Sequence, residues 1–260
     1  MRGYLKTAAM QMTGGMDGGI ALMLGTYLLR FLRVVVLLAL WRVILSAKGG
    51  ASGMSMDTVL TYTLISSAFT DQLNCRTDLA NDLDCGGITT RFLRPMGIFG
   101  QYASQMFGNW GLPFLLFSIP ILIISPLLGV SPLPASLQSG LWFMVSLILA
   151  VSVGLAIDFI FSALMIILGL NVYSTNRVHR AVSILFSGIL IPLALLPWGL
   201  GQIFGWLPFA AMASTPLKIF TGAGNAPLMI AVQVGWSIVL WPVAYMLWGL
   251  GRERMVSYGG

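Results

Sequence analysis

Residues 141–170 read LWFMVSLILAVSVGLAIDFIFSALMIILGL, an apolar run in which Asp158 is the one charged side chain. At a rise of about 1.5 Å per residue, such a helix reaches about 45 Å. The hydrocarbon core of a bilayer is about 30 Å thick, so the helix is expected to tilt or to project beyond the lipid. A buried helix of a soluble domain does not need this length, and the fold is therefore sought in a membrane.

The rest of the chain agrees. Of its 260 residues 57% are apolar and only 8% charged, with a mean hydropathy of +0.89, whereas soluble chains are roughly a quarter charged. A water-facing surface cannot be built from so few charges, which excludes a cytosolic enzyme and a disordered chain. Further apolar runs lie at 24–46, 54–70, 106–128, 182–204 and 228–250. Together they predict an all-α integral membrane protein of six transmembrane helices in a single domain, 1–260. Segment 1–23 is cytoplasmic or interfacial, and it lacks the basic start and compact apolar core of a cleavable leader.

Local features qualify several runs. Arg30 and Arg33, one turn apart in the first, are expected to snorkel to an interface. The second is rich in Ser and Thr, with Asp57 as the expected cap. The third contains Pro113, Pro120 and Pro126, tolerated where neighbouring groups satisfy the freed carbonyls. Segment 205–227 is apolar but broken by Pro208, Pro216, Gly222 and Gly224, which predicts broken or re-entrant helices on the extracytoplasmic side. Gly201 and Gly205 permit close helix contact, although 30 glycines make such a spacing common. Most tryptophans fall near run ends, as interface belts do.

Orientation follows from Lys and Arg, which cytoplasmic loops retain. Arg2, Lys6, Arg76, Arg91, Arg94, Arg177, Arg180, Arg252 and Arg254 fall on one side of a six-helix arrangement, and only Lys48 and Lys218 on the other. Both termini are thus expected in the cytoplasm, in a multi-pass protein of the cytoplasmic (inner) membrane. The net charge of +6 is accounted for by this retention, and no nucleic-acid partner is expected.

Candidate chemistry is sparse. Cys75 and Cys85 lack a metal or disulfide pattern, and the single histidine, His179, sits in a basic loop as an expected solvated residue. There is no phosphate loop, no Gly-x-Ser-x-Gly elbow and no His-Glu-x-x-His motif, and the one glutamate is Glu253. The chain is not expected to be an enzyme, nor to carry catalytic, cofactor or metal residues. Asp158 has two readings: a hydrogen-bonded acid joining two helices, or a cavity acid attracting a cationic substrate. The charged segment 71–100, with Asp71, Asp78, Asp82 and Asp84 beside Arg76, Arg91 and Arg94, is either a solvated loop or a docking platform. Asp71 to Cys85 reads as a short surface helix stopped by Gly86 and Gly87, with Leu79 and Leu83 on one face.

Two stretches carry a resemblance. Gly87-Ile88-Thr89-Thr90-Arg91-Phe92-Leu93-Arg94-Pro95-Met96 is one. The other is Phe186-Ser187-Gly188-Ile189-Leu190-Ile191-Pro192, continued by Leu207-Pro208-Phe209 and Thr215-Pro216 with Gly222. These, with the short basic tail, resemble permease subunits of type-2 exporters among ABC transporters, in the subgroup of viologen, fluoroquinolone and daunorubicin-like export. The fourth helix carries Phe159, Phe161 and Ser162 in place of that subgroup's Phe-Trp step. The resemblance implies one half of a twelve-helix pair with a related or identical permease. It also implies a cytoplasmic ATPase dimer that holds ATP and Mg. Coupling would fall to Asp78, Asp82, Asp84, Arg91, Arg94 and Pro95. Asp158, Phe161 and Pro192 become candidates for the translocation pathway, and Pro208, Phe209 and Pro216 for an outer gate. The expected cargo is a hydrophobic or amphipathic compound, with Asp158 leaning toward cations. Rival readings are an ion-gradient-driven exporter, a non-transporting sensor or immunity subunit, and an intramembrane lipid enzyme, for which a catalytic polar cluster is missing.

Overall fold

The computed structural model describes residues 2–14, 20–47 and 54–259, and all its helices and turns serve one bundle. Lys48, expected on the outer side, lies outside the described residues. The helices are α1 (Arg2–Gly14), α2 (Ile20–Ala47), α3 (Met56–Ala68), α4 (Thr70–Leu73), α5 (Leu79–Asp84), α6 (Ile88–Phe92) and α7 (Ile98–Pro113). After a π turn at Phe114–Ser118 come α8 (Ile119–Ile124), α9 (Leu137–Leu168), α10 (Val172–Ser187), α11 (Leu200–Gly205), α12 (Pro208–Met212), α13 (Ser214–Phe220) and α14 (Ala226–Gly259). Among the described residues, Ile98–Ile124, Leu137–Leu168 and Ala226–Arg254 are long and apolar enough to cross a membrane.

The centre is α9. Ser136 caps it by accepting the Ser139 amide at 3.0 Å, and Gly169 ends it in the left-handed region at φ +63°, a conformation that glycine adopts without a Cβ clash. The helix thus starts ahead of the expected run 141–170, at the capping serine, and ends at Leu168, two residues short of it. Along α9 runs α14, bound by Ser146 Oγ to Gln233 Oε1 at 2.8 Å and by Trp241 Nε1 to Ser152 Oγ at 2.9 Å. Paired residue numbers rise together, so the two helices are parallel. Phe69 meets Phe143 edge-on at 5.4 Å, and Thr77 reaches Asp158, which sets α3 and the chain after it in the same direction. The helix 98–124 runs against them: Phe99 stacks on Phe159 at 4.3 Å, while Phe114 near its other end faces Phe69 at 6.1 Å. It is joined by α2, whose Arg30 lies over Phe117 and whose Arg42 donates to the Leu128 carbonyl.

Several local expectations need correction. Ser55 caps α3, accepting the Thr58 amide at 3.2 Å, and Asp57 merely occupies the first turn. Helix 98–124 begins ahead of the expected residue 106. Its first turns are covered by α1, and Tyr4 Oη accepts the Gly97 amide at 3.1 Å. A Cβ on Gly108 would collide with the Ala8 carbonyl oxygen, so that glycine is what lets the two helices touch. The π turn after Pro113 absorbs the lost hydrogen bond, as wide turns inside helices do. The surface helix expected over 71–85 is confined to α4 and α5, with a gap at 74–78.

The larger correction concerns the fifth run. It is not one helix over 182–204. Helix α10 starts ahead of it, capped by Asn171, and ends at Ser187, where Gly188 turns left-handed at φ +74°. The chain then leaves the bundle axis through two 3-10 turns, Leu193–Leu195 and Pro197–Gly199, and the short α11. It returns as α12 and α13, and Phe220 meets Phe143 at 5.1 Å while its carbonyl accepts the Ala135 amide. The break expected at 205–227 therefore opens earlier, at Gly188, and α13 lies beside the start of α9.

Candidate functional site

The segment between α3 and α7 folds back under the bundle, and its polar side chains divide into those that brace it and those that face outward. Asp71 pairs with Arg30 at 2.8 Å. Cys75 is buried, and Gly154 on α9 makes room for it: a Cβ there would stand 2.8 Å from the Cys75 Cβ. Arg76 donates to Asn176 Oδ1 at 2.6 Å. Thr77 donates to Asp158 twice, from its amide at 2.9 Å and its hydroxyl at 2.6 Å. Burial of polar groups is tolerated when each finds such a partner.

One turn further, α5 and α6 close a second network. Asp82 Oδ2 accepts Arg91 Nε at 3.0 Å and the Tyr102 hydroxyl at 2.7 Å. Arg91 also donates to Gln105 Oε1 at 2.8 Å and lies over the Tyr102 ring at 4.9 Å. Gln105 in turn donates to Asp78 Oδ2 at 2.9 Å. Burial raises the Asp78 carboxyl above its ordinary value, the Asp82 charge adds to that, and Arg91 opposes it. Leu79 is fully buried and Leu83 packs beside it, as their spacing suggests.

Of the six coupling candidates, Asp78, Asp82 and Arg91 are thus brought together. Asp84, Arg94 and Pro95 are exposed and join no such network. With them stand Phe92 at 46% and Leu93 at 86% exposure. The braced network presents a short apolar and basic projection to its surroundings.

Asp158 is 5% exposed and lies where this segment meets α9 and α10. Its other oxygen is 3.6 Å from His179 Nδ1. His179 is not solvated: it is 2% exposed, and its ring stacks on Phe161 at 4.5 Å with 11° between planes. Phe161 and Phe209 pack against one cluster with Ile157 and Met212, so a pathway candidate and a gate candidate share a wall. Pro192 is buried just before the first 3-10 turn, Pro208 starts α12, and Pro216 is buried within α13.

Sequence reasoning passed over Thr77, Gln101, Tyr102, Gln105 and Asn176, and it read His179 as solvated. A signal existed for two groups. Gln101, Tyr102 and Gln105 interrupt the apolar character of α7 on one helical face. Val172, Thr175, His179 and Ser183 are spaced at three and four residues, and all are buried. Among the described residues no cluster of His, Cys, Asp and Glu could hold a metal ion.

A family model described as ABC-2 family transporter protein matches residues 31–259. No curated protein matches the chain. The matched span runs from within α2 to the end of α14, including the folded-back segment and the broken return to α14, and the chain belongs to the ABC-2 family of transporter proteins.

Proposed function

We propose that this membrane chain is the permease subunit of an ATP-driven exporter, moving a hydrophobic or amphipathic compound outward across the cytoplasmic membrane. Permeases of this family work with ABC ATPases, and no phosphate loop is present in this sequence. ATP and Mg belong on the separate ATPase dimer, and a second six-helix chain, related or identical, completes the pathway. The subgroup is that of viologen, fluoroquinolone and daunorubicin-like export.

The observation that carries the reading is the braced projection at Phe92 to Pro95. It stands on the Asp82–Arg91–Gln105–Asp78 network, and Thr77 ties the same segment to Asp158 in α9. A push from an ATPase at the projection reaches α9 through hydrogen bonds and packed side chains rather than through a slack loop. Nucleotide-dependent closure then supplies the differential affinity that moves the two halves.

Helix directions support six passages. The return from α9 to α14 is made by α10 and by α12 with α13, so that α9 and α14 run the same way, and the Lys and Arg distribution supports reading both termini as cytoplasmic. Asp78, Asp82, Asp84, Arg91, Arg94 and Pro95 serve coupling. Phe161 and Pro192 lie along the pathway with Asp158 fixing its inner end, and Pro208, Phe209 and Pro216 shape the outer gate.

The test is co-purification. The full chain, expressed with its candidate ABC ATPase, should retain that ATPase through size exclusion and lose it when Leu93 and Arg94 are both replaced by Asp. Retention by the variant as by the parent overturns the coupling role.

A further inference from the structure

The broken segment between α10 and α12 separates two hollows, and their charges agree. The larger, about 540 Å³, is walled by Leu193, Trp206 and Met229, with Gln202, Ser214, Thr215 and Lys218 as polar groups. Lys218 is the one charged residue in its lining. It is half-buried, and its ammonium makes no hydrogen bond or ion pair among the described residues. A half-buried ammonium without a counter-charge favours an anion beside it.

The smaller hollow, about 180 Å³, lies toward the Asp71 end of α3 and is lined by Arg30, Arg33 and Phe117. Asp71 occupies Arg30, whereas Arg33 has no carboxylate partner among the described residues. The acids stand elsewhere: Asp78 and Asp82 within their network, and Asp158 enclosed by Thr77 and His179. Neither hollow offers a carboxylate to a cation.

We propose that the Lys218 cavity binds an amphipathic compound whose head group is anionic, a carboxylate or a phosphate ester, with its hydrocarbon body against Leu193, Trp206 and Met229. This names the cargo class of the exporter proposed above and rests on that reading only for the direction of movement. The apolar wall favours such a compound over a free inorganic anion, which would bury no hydrocarbon against Leu193, Trp206 and Met229.

Binding is measured on the purified full chain in phosphatidylcholine nanodiscs, with neither ATPase nor ATP present. The probe is undecanoic acid carrying a terminal dansyl group, followed by its emission, against the same chain ending in trimethylammonium. The carboxylate is expected to bind saturably and about tenfold more tightly than the cation, as a charge-assisted contact provides. Lys218→Gln should remove that preference and Lys218→Arg should keep it, which separates lost charge from lost folding. Dodecyl phosphate should displace the probe, and inorganic phosphate at the same concentration should not. Equal binding of the two probes, an unchanged preference in Lys218→Gln, or displacement by inorganic phosphate would each overturn the proposal. Because no nucleotide enters the assay, its failure leaves the ATP-driven reading untouched, and loss of ATPase association leaves this result untouched.

Discussion

Asp158 accepts both the amide and the hydroxyl of Thr77, at 2.9 and 2.6 Å, across 81 residues of chain. This pair joins the segment under the bundle to its central helix. Removing the acceptor leaves two donors in a buried place, which typically costs about 1–3 kcal/mol. Asp158→Leu should therefore lower the melting temperature in detergent. Asp158→Asn, which keeps an acceptor oxygen, should melt close to the parent and still transport. Normal melting of Asp158→Leu would remove the structural role. Loss of transport in a stable Asp158→Asn would return the carboxylate to the pathway as a charge.

Arg91 and Arg94 look alike in sequence and stand apart in space. Arg91 is held by Asp82, Gln105 and the Tyr102 ring, while Arg94 is exposed beside Leu93. Arg91→Glu should place a charge beside Asp82 and destabilise the chain in thermal unfolding. Arg94→Glu should leave the melting curve unchanged and weaken ATPase capture. Leu93→Asp should weaken it more, by about tenfold, as loss of a central apolar contact does. Equal melting behaviour of the two arginine variants would contradict the network.

Asp78 provides a pH test. Its carboxyl is raised in the folded chain by burial, with Asp82 adding to the shift. The folded state then holds a proton that the unfolded state has released, so this group's contribution falls as pH rises between the ordinary and the raised value. Asp78→Asn keeps an acceptor for Gln105 and removes the titration. Melting curves from pH 3.5 upward should show the parent losing ground to Asp78→Asn as the pH rises above the ordinary carboxyl value of about 3.9. A constant difference between the two would show that Asp78 does not titrate in that window.

Gly108 is the point of closest approach between α7 and α1, where a Cβ would meet the Ala8 carbonyl oxygen. Gly108→Ala should push α1 off, a strain of about 1–3 kcal/mol in a tight contact. Limited proteolysis should then cut the first fourteen residues faster than in the parent, with the remaining bundle intact. Unchanged cutting would mean that α1 is not held there.

Helices α9 and α14 were legible because a long apolar run has one stable form in lipid, with every backbone group bonded within itself. The broken return path was not. Residues 182–204 are as apolar as a true crossing, and hydropathy carries no sign of the left-handed turn at Gly188 that ends α10. His179 was misplaced for a related reason. Arg177 and Arg180 flank it in sequence and are exposed, but the helical period turns His179 inward with Thr175 and Ser183. The folded-back segment announced itself by charge, yet which charges brace it and which project depends on α7, which supplies Tyr102 and Gln105 from ahead of the expected crossing.

If a separate nucleotide-hydrolysing partner moves this chain from below, uphill transport requires that partner. Proteoliposomes holding the chain alone, and others holding it with its candidate ABC ATPase, can be given the dansyl-labelled undecanoic acid together with ATP and Mg on the ATPase side. Accumulation against a gradient only when the ATPase is present is the predicted result. Uphill accumulation by the chain alone would contradict the account.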